Sequence, residues 1–133
     1  MEVNTYLEKI NYEENTNLKQ QDIEDIERQI DFAYPMEYKK LLSKFNGGYG
    51  NIGEYYIDFW EVSDTLYYYE ENEDIKDFII FASDGCGMAF AFKKRDGAIY
   101  SIPMDSLEKE YSKRIADSYN DFVESMYKGQ LKY

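Results

Sequence analysis

A chain of 133 residues, 44% hydrophobic and 18% aromatic, is long enough to bury one core, and this apolar content excludes a disordered chain despite 32% charge. The single cysteine, Cys86, excludes an internal disulfide, and the lack of histidine removes the commonest general base, the usual Ser-His and Cys-His pairs and most zinc and iron sites. A net charge of −12 disfavours nucleic acid and anionic membranes as direct partners, because both demand clustered lysine and arginine.

Residues 1–6 lack the basic start and apolar stretch of a signal peptide, and no apolar run approaches the length of a membrane span. With one cysteine in a chain of this kind, a reducing, cytoplasmic setting is expected. Asn17 is placed to cap a helix over residues 18–31, with Gln20 in a capping-box position and Ile23, Ile26 and Ile30 on one stripe. Pro35 suits the first turn of a second helix with Tyr38, Leu41, Leu42 and Phe45 on its buried face. Asn46-Gly47-Gly48 supplies the backbone freedom to end that helix.

From Glu54 the period changes to two. Residues 55–60 read as a strand with Tyr55, Ile57 and Phe59 on one side and Tyr56, Asp58 and Trp60 on the other. Residues 61–74 are ambiguous: Val62, Leu66 and Tyr69 have helical spacing, and Ser63 or Asp64 could cap a short helix. Strands are expected at 78–83 and 88–93 on either side of Ser83-Asp84-Gly85-Cys86-Gly87. That loop has the residue types of a phosphate or catalytic loop, but its glycines open a strand. The free N–H groups of a helix start are therefore missing. It reads as a hairpin connector, with Asp84 bonding nearby backbone N–H groups and Cys86 packing as a small residue.

Arg95-Asp96-Gly97 is a hairpin turn leading to a strand at 98–102, which Pro103 stops. A last helix is expected over 113–128, burying Ile115, Tyr119, Phe122, Val123 and Met126 and closed by Gly129. The pattern predicts one α+β domain over residues 1–133, with its core at about 18–128: an antiparallel meander of about four or more strands packed against two N-terminal helices and one C-terminal helix. The parallel crossover of a nucleotide-binding α/β fold is absent.

No catalytic residue, cofactor or metal is expected. Ser83 has no Ser-x-x-Lys motif around it, and Glu70-Glu71-Asn72-Glu73-Asp74 lacks the alternate ligands and central glycine of a calcium loop. Residues 54–77 hold nine carboxylates against Lys76 alone, so −8 of the net −12 lies there, together with seven aromatic side chains. A charge run is most often a solvated face. The aromatic interleaving argues for more. Tyr67, Tyr68 and Tyr69 cannot all point inward from a helix or a strand, and tyrosine beside carboxylates makes an effective protein-binding anchor. The candidate partner-binding residues are Asp58, Trp60, Glu61, Asp64, Tyr67, Tyr68, Tyr69, Glu70, Glu71, Glu73 and Asp74.

Three local patterns occur in a recognisable order. Pro35-Met36-Glu37-Tyr38-Lys39-Lys40-Leu41-Leu42 leads to Asn46-Gly47-Gly48. Phe81-Ala82-Ser83-Asp84-Gly85-Cys86-Gly87 is followed by the Asp96-Gly97 hairpin and Ile99-Tyr100-Ser101-Ile102-Pro103. Ile115-Ala116-Asp117-Ser118-Tyr119-Asn120-Asp121-Phe122 comes last. Over residues 20–128 the chain resembles the SUKH superfamily, in its branch related to the fungal cell-wall-synthesis regulators. The resemblance implies an α+β fold without enzymatic activity. Since the long disordered flanks of the fungal members are missing, it implies a bacterial immunity protein that neutralises a cognate toxin, often a nuclease.

The expected partner is thus a toxin domain with a basic surface, met by a monomer or weak homodimer. Two other readings are an acidic DNA mimic, which needs regular carboxylate spacing along a rigid face, and a peptide- or small-ligand-binding regulatory module with a groove beside the sheet. Reversing the charge of Glu70, Glu71, Glu73 and Asp74 together is expected to weaken toxin binding and flatten its salt dependence. Unchanged binding would overturn that placement.

Overall fold

The most apolar runs of the chain become its most buried strands. In a computed structural model that describes residues 2–133, Phe78–Ser83 (β3) and Met88–Lys93 (β4) sit at the centre of the sheet, with apolar packing on both faces. Around them lie Gly48–Ile52 (β1), Tyr55–Phe59 (β2), Ile99–Pro103 (β5) and Lys113–Ala116 (β6), giving a six-stranded antiparallel meander in chain order. The expected α+β meander is what forms, and its two outermost strands are the ones that local pattern did not reveal.

Among the described residues four α-helices accompany the sheet: Gln20–Ile30 (α1), Met36–Leu42 (α2), Val62–Glu71 (α3) and Tyr119–Tyr127 (α4). One sheet face packs on α1, α2 and α4. Tyr38, Phe81, Phe92 and Tyr119 meet there in a largely edge-on aromatic cluster, with Tyr38 5.5 Å from Phe81 and 5.3 Å from Phe92 between ring centroids. A bulge between Ile80 and Ala82 puts both Phe81 and Ala82 into this core. The core also takes in Val3, Leu7, Ile10 and Leu131, outside residues 18–128. The opposite face carries a smaller core of Ile75, Phe78, Ile80, Ala89, Ala91 and Ile102, flanked by Trp60, Tyr68, Tyr100, Met104 and Leu107.

Several boundaries differ from the expectation, each for a local reason. Helix α1 starts at Gln20, and Asn17 does not cap it; the Asp22 carboxylate accepts instead from the Lys19 N–H at 3.0 Å. Pro35 stands just ahead of α2, and the helix ends at Leu42, before Asn46-Gly47-Gly48. Gly48 begins β1, which glycine and asparagine had hidden. The chain at residues 9–11 runs so close to β1 that a Cβ on Gly50 would lie 2.5 Å from the Lys9 carbonyl oxygen. Residues 113–116 form β6, not the first turn of the last helix. They pair with β5, and Arg114 reaches Asp96 and Asp117 at 3.1 Å each. Helix α4 then starts at Tyr119, where the Ser118 hydroxyl accepts from the Asp121 N–H at 3.1 Å.

The ambiguous stretch 61–74 resolves into α3 and a short turn at Glu73–Ile75. Neither Ser63 nor Asp64 caps α3; the Asn46 side-chain oxygen, from another part of the chain, accepts from the Val62 N–H at 2.9 Å. Its position follows from a defect in the sheet. Strand β2 pairs with β3 only at Asp58–Ser83 and Phe59–Ala82, followed by one bond from the Trp60 N–H to the Phe81 carbonyl at 2.9 Å. Beyond that point β3 has no strand beside it on this edge, and α3 fills the gap. Thr65, almost fully buried, donates its hydroxyl to the Ile80 carbonyl at 2.6 Å. Val62, Leu66 and Tyr69 join the larger core, and Tyr68 joins the smaller one.

The 83–87 connector behaves as a turn. One Asp84 carboxylate oxygen accepts from the N–H groups of Cys86 at 2.8 Å and Met88 at 3.0 Å, and the other accepts from the Tyr133 hydroxyl at 3.0 Å. Burial and this carboxylate push the Tyr133 phenol up to about 12. Cys86 is exposed, contrary to the packing role expected of it.

Two substitutions test these contacts. Thr65→Val keeps the shape of the side chain but leaves the Ile80 carbonyl without its donor, and should lower unfolding stability by about 1–3 kcal/mol in urea titration. Asp84→Ala strips two part-buried N–H groups and one hydroxyl of their acceptor and should cost about 1–3 kcal/mol by the same measure.

Candidate partner-binding cleft

Strand β2 alternates across the sheet. Ile57 and Phe59 point to the larger core, so Asp58 is left on the opposite face, and Trp60 follows it there past the end of the strand. Among the described residues no helix covers that face of β1 and β2, where Tyr49 and Tyr56 stay exposed, because α3 is committed to the edge of β3. The chain before α1 supplies another wall. Asn11 and Tyr49 exchange two backbone hydrogen bonds, at 2.7 and 2.9 Å, and bring residues 11–16 alongside β1.

Between residues 11–16, the starts of β1 and α3, and the end of β2 lies a cleft of about 580 Å³. Asn46, Gly47 and Gly48 line it together with Tyr12, Tyr49, Phe59 and Trp60. Four carboxylates border it: Glu13, Asp58, Glu61 and Asp64. No lysine or arginine is among its lining residues. None of the four has a hydrogen-bonding or ion-pair partner for its side chain among the described residues. Asp58 is half-buried, and burial, reinforced by the charge of Asp64, holds its carboxyl above the usual carboxylate range. Tyr12 stacks on Phe45 with 4.5 Å between ring centroids yet remains 39% exposed, and Tyr49 is 53% exposed.

The sequence-based candidates separate into two surfaces. Asp58, Trp60, Glu61 and Asp64 meet at the cleft. Glu70, Glu71, Glu73 and Asp74 lie exposed at the other end of α3, whose ten residues span about 15 Å. An aromatic line leads along the helix from the cleft: Trp60 lies 4.9 Å from Tyr68, and Tyr68 lies 5.5 Å from Tyr67, which is 60% exposed. Tyr69 turns to the other side of α3. It packs against the larger core, its hydroxyl accepts from the Lys94 ammonium at 3.0 Å, and Lys76 lies over its ring at 4.5 Å. At the acidic end the Asp74 carboxylate accepts from the Lys109 N–H at 2.8 Å, and Glu73 lies 4.0 Å from the Lys76 ammonium.

Tyr12, Glu13 and Tyr49 did not figure among the candidates. Tyr49 sits between glycines and Tyr12 before the first helix, so nothing local links either to Asp58. Their only sequence-level signal is an aromatic in a polar or glycine-rich stretch, where no core can claim it.

Among the described residues no group of three or more cysteines or carboxylates is placed to hold a metal ion. No helix among them is long and apolar enough to cross a membrane. No curated protein matches the chain. The sequence profile of the SMI1 / KNR4 family (SUKH-1) matches residues 17–125, from just before α1 into α4. A match over most of the chain, with the α+β meander seen here, places this protein in the SMI1 / KNR4 family (SUKH-1).

Proposed function

We propose that this chain is a non-enzymatic immunity protein that binds and neutralises a cognate toxin domain, a nuclease with a basic surface, through the cleft and the adjoining strip of α3. Family membership supports the class of function. The observation that carries the binding surface is the cleft, where four unpaired carboxylates stand among Tyr12, Tyr49 and Trp60 and no lysine or arginine is among the lining residues. Carboxylates of one sign steer a basic partner into contact, and aromatic side chains supply buried area once it arrives. Covering the basic substrate-binding surface of a nuclease is enough to inhibit it, so no chemistry is required of this chain.

The two-part layout disfavours a DNA mimic, since the carboxylates gather at the two ends of α3 and leave tyrosines between them. A groove of this size beside the sheet keeps one rival reading in view, a regulatory module that binds a peptide or small molecule.

Co-expression with its cognate nuclease toxin domain should restore growth, and the purified pair should form a stoichiometric complex that blocks nuclease activity. Growth arrest that persists although both proteins are soluble would sink the immunity reading. Within the complex, Glu61→Lys with Asp64→Lys should slow association roughly tenfold or more at low salt, with a smaller effect at high salt.

A further inference from the structure

Several carboxylates outside the cleft are paired with cations of the chain itself. Asp25 pairs with Arg28, Glu27 with Lys39, Glu2 and Glu37 with Lys40, and Asp96 and Asp117 with Arg114. At the cleft, four carboxylates without an ion-pair partner among the described residues border one concave space lined by Tyr12, Tyr49 and Trp60, and no lysine or arginine is among its lining residues. Resting on the reading above, we infer that the cleft is the anchor site for an arginine side chain of the partner protein, with Asp58 and Asp64 receiving the guanidinium between the rings of Tyr49 and Trp60.

Three features select arginine. A planar guanidinium donates in a fork that serves two carboxylates at once, which a compact ammonium does not match. Ring faces attract a weakly hydrated cation, and arginine loses less hydration than lysine on entering such a space. Asp58 lies on a strand, half-buried, and like-charge crowding by Asp64 makes a cation there doubly favourable. The volume of about 580 Å³ exceeds one side chain, so the residue enters together with its flanking backbone, as it would from a protein loop. The acidic run at the end of α3 lies outside that cleft, and Glu73 and Asp74 there are engaged with the chain itself.

The test does not need the toxin. The full chain, labelled for NMR, is titrated with the blocked tripeptide Gly-Arg-Gly and with its uncharged citrulline counterpart. The arginine peptide should produce saturable shifts at residues 46–49 and 58–64, with the citrulline peptide roughly tenfold weaker or more. Asp58→Asn with Asp64→Asn should abolish the shifts while leaving the rest of the spectrum in place, and Glu70→Gln with Glu71→Gln should leave them unchanged. Equal response to both peptides, shifts confined to other residues, no saturable shift, or binding that survives the double Asn variant would each overturn the assignment. The outcome separates from that of the functional reading. Arginine capture by a chain that rescues no toxin leaves the site standing and removes the immunity role; a toxin neutralised equally well by the double Asn variant removes the site alone.

Discussion

The architecture turns on one hydrogen bond and the gap it closes. Where β2 leaves β3 after two paired residues, a central strand is left with a bare edge inside the protein, and buried backbone groups cannot stay unpaired there. Thr65 supplies a donor to the Ile80 carbonyl, and α3 is held in the gap with one side in each core. This placement explains why residues of a single helix, Leu66 and Tyr68, belong to opposite faces of the sheet.

The same constraint generates the cleft. A helix lodged at the edge of β3 cannot also cover the outer face of β1 and β2, so Tyr49, Asp58 and Trp60 are left open on that face. The pairing of Asn11 with Tyr49 then raises a wall along the far side. A concave, acidic and aromatic surface thus results from how the strands diverge. Electrostatics follow the same division. Asp96 and Asp117 share Arg114, whereas Asp58 and Asp64 in the cleft have no cation paired with them among the described residues.

The central strands were legible because their residues argue the same way at every level. Phe78–Ser83 and Met88–Lys93 are apolar, rich in strand-forming residues and separated by a turn, and no tertiary contact competes with that reading. The edge strands were not. β1 contains two glycines and an asparagine, and β6 follows a helical spacing through Ile115, so each depends on a partner strand for its conformation. Helix α3 was half-visible: its periodicity was present, but its cap comes from Asn46, far away in sequence.

For the site, the sequence by itself determined the chemistry: no histidine, one cysteine, a heavily acidic segment interleaved with aromatic residues, and three tyrosines that could not all be buried. Those conclusions follow from residue types and from local geometry, which composition and periodicity report directly. Only the tertiary structure decided which of these residues act together. It split the acidic segment between two ends of a helix, turned Tyr69 inward, and joined Asp58 and Asp64 to Tyr12 and Tyr49. The physical reason is that a cleft is a property of non-local pairing. Which backbone lies beside β1, and which edge of β3 needs filling, is settled by hydrogen bonds between residues far apart in the chain, and no local pattern encodes them.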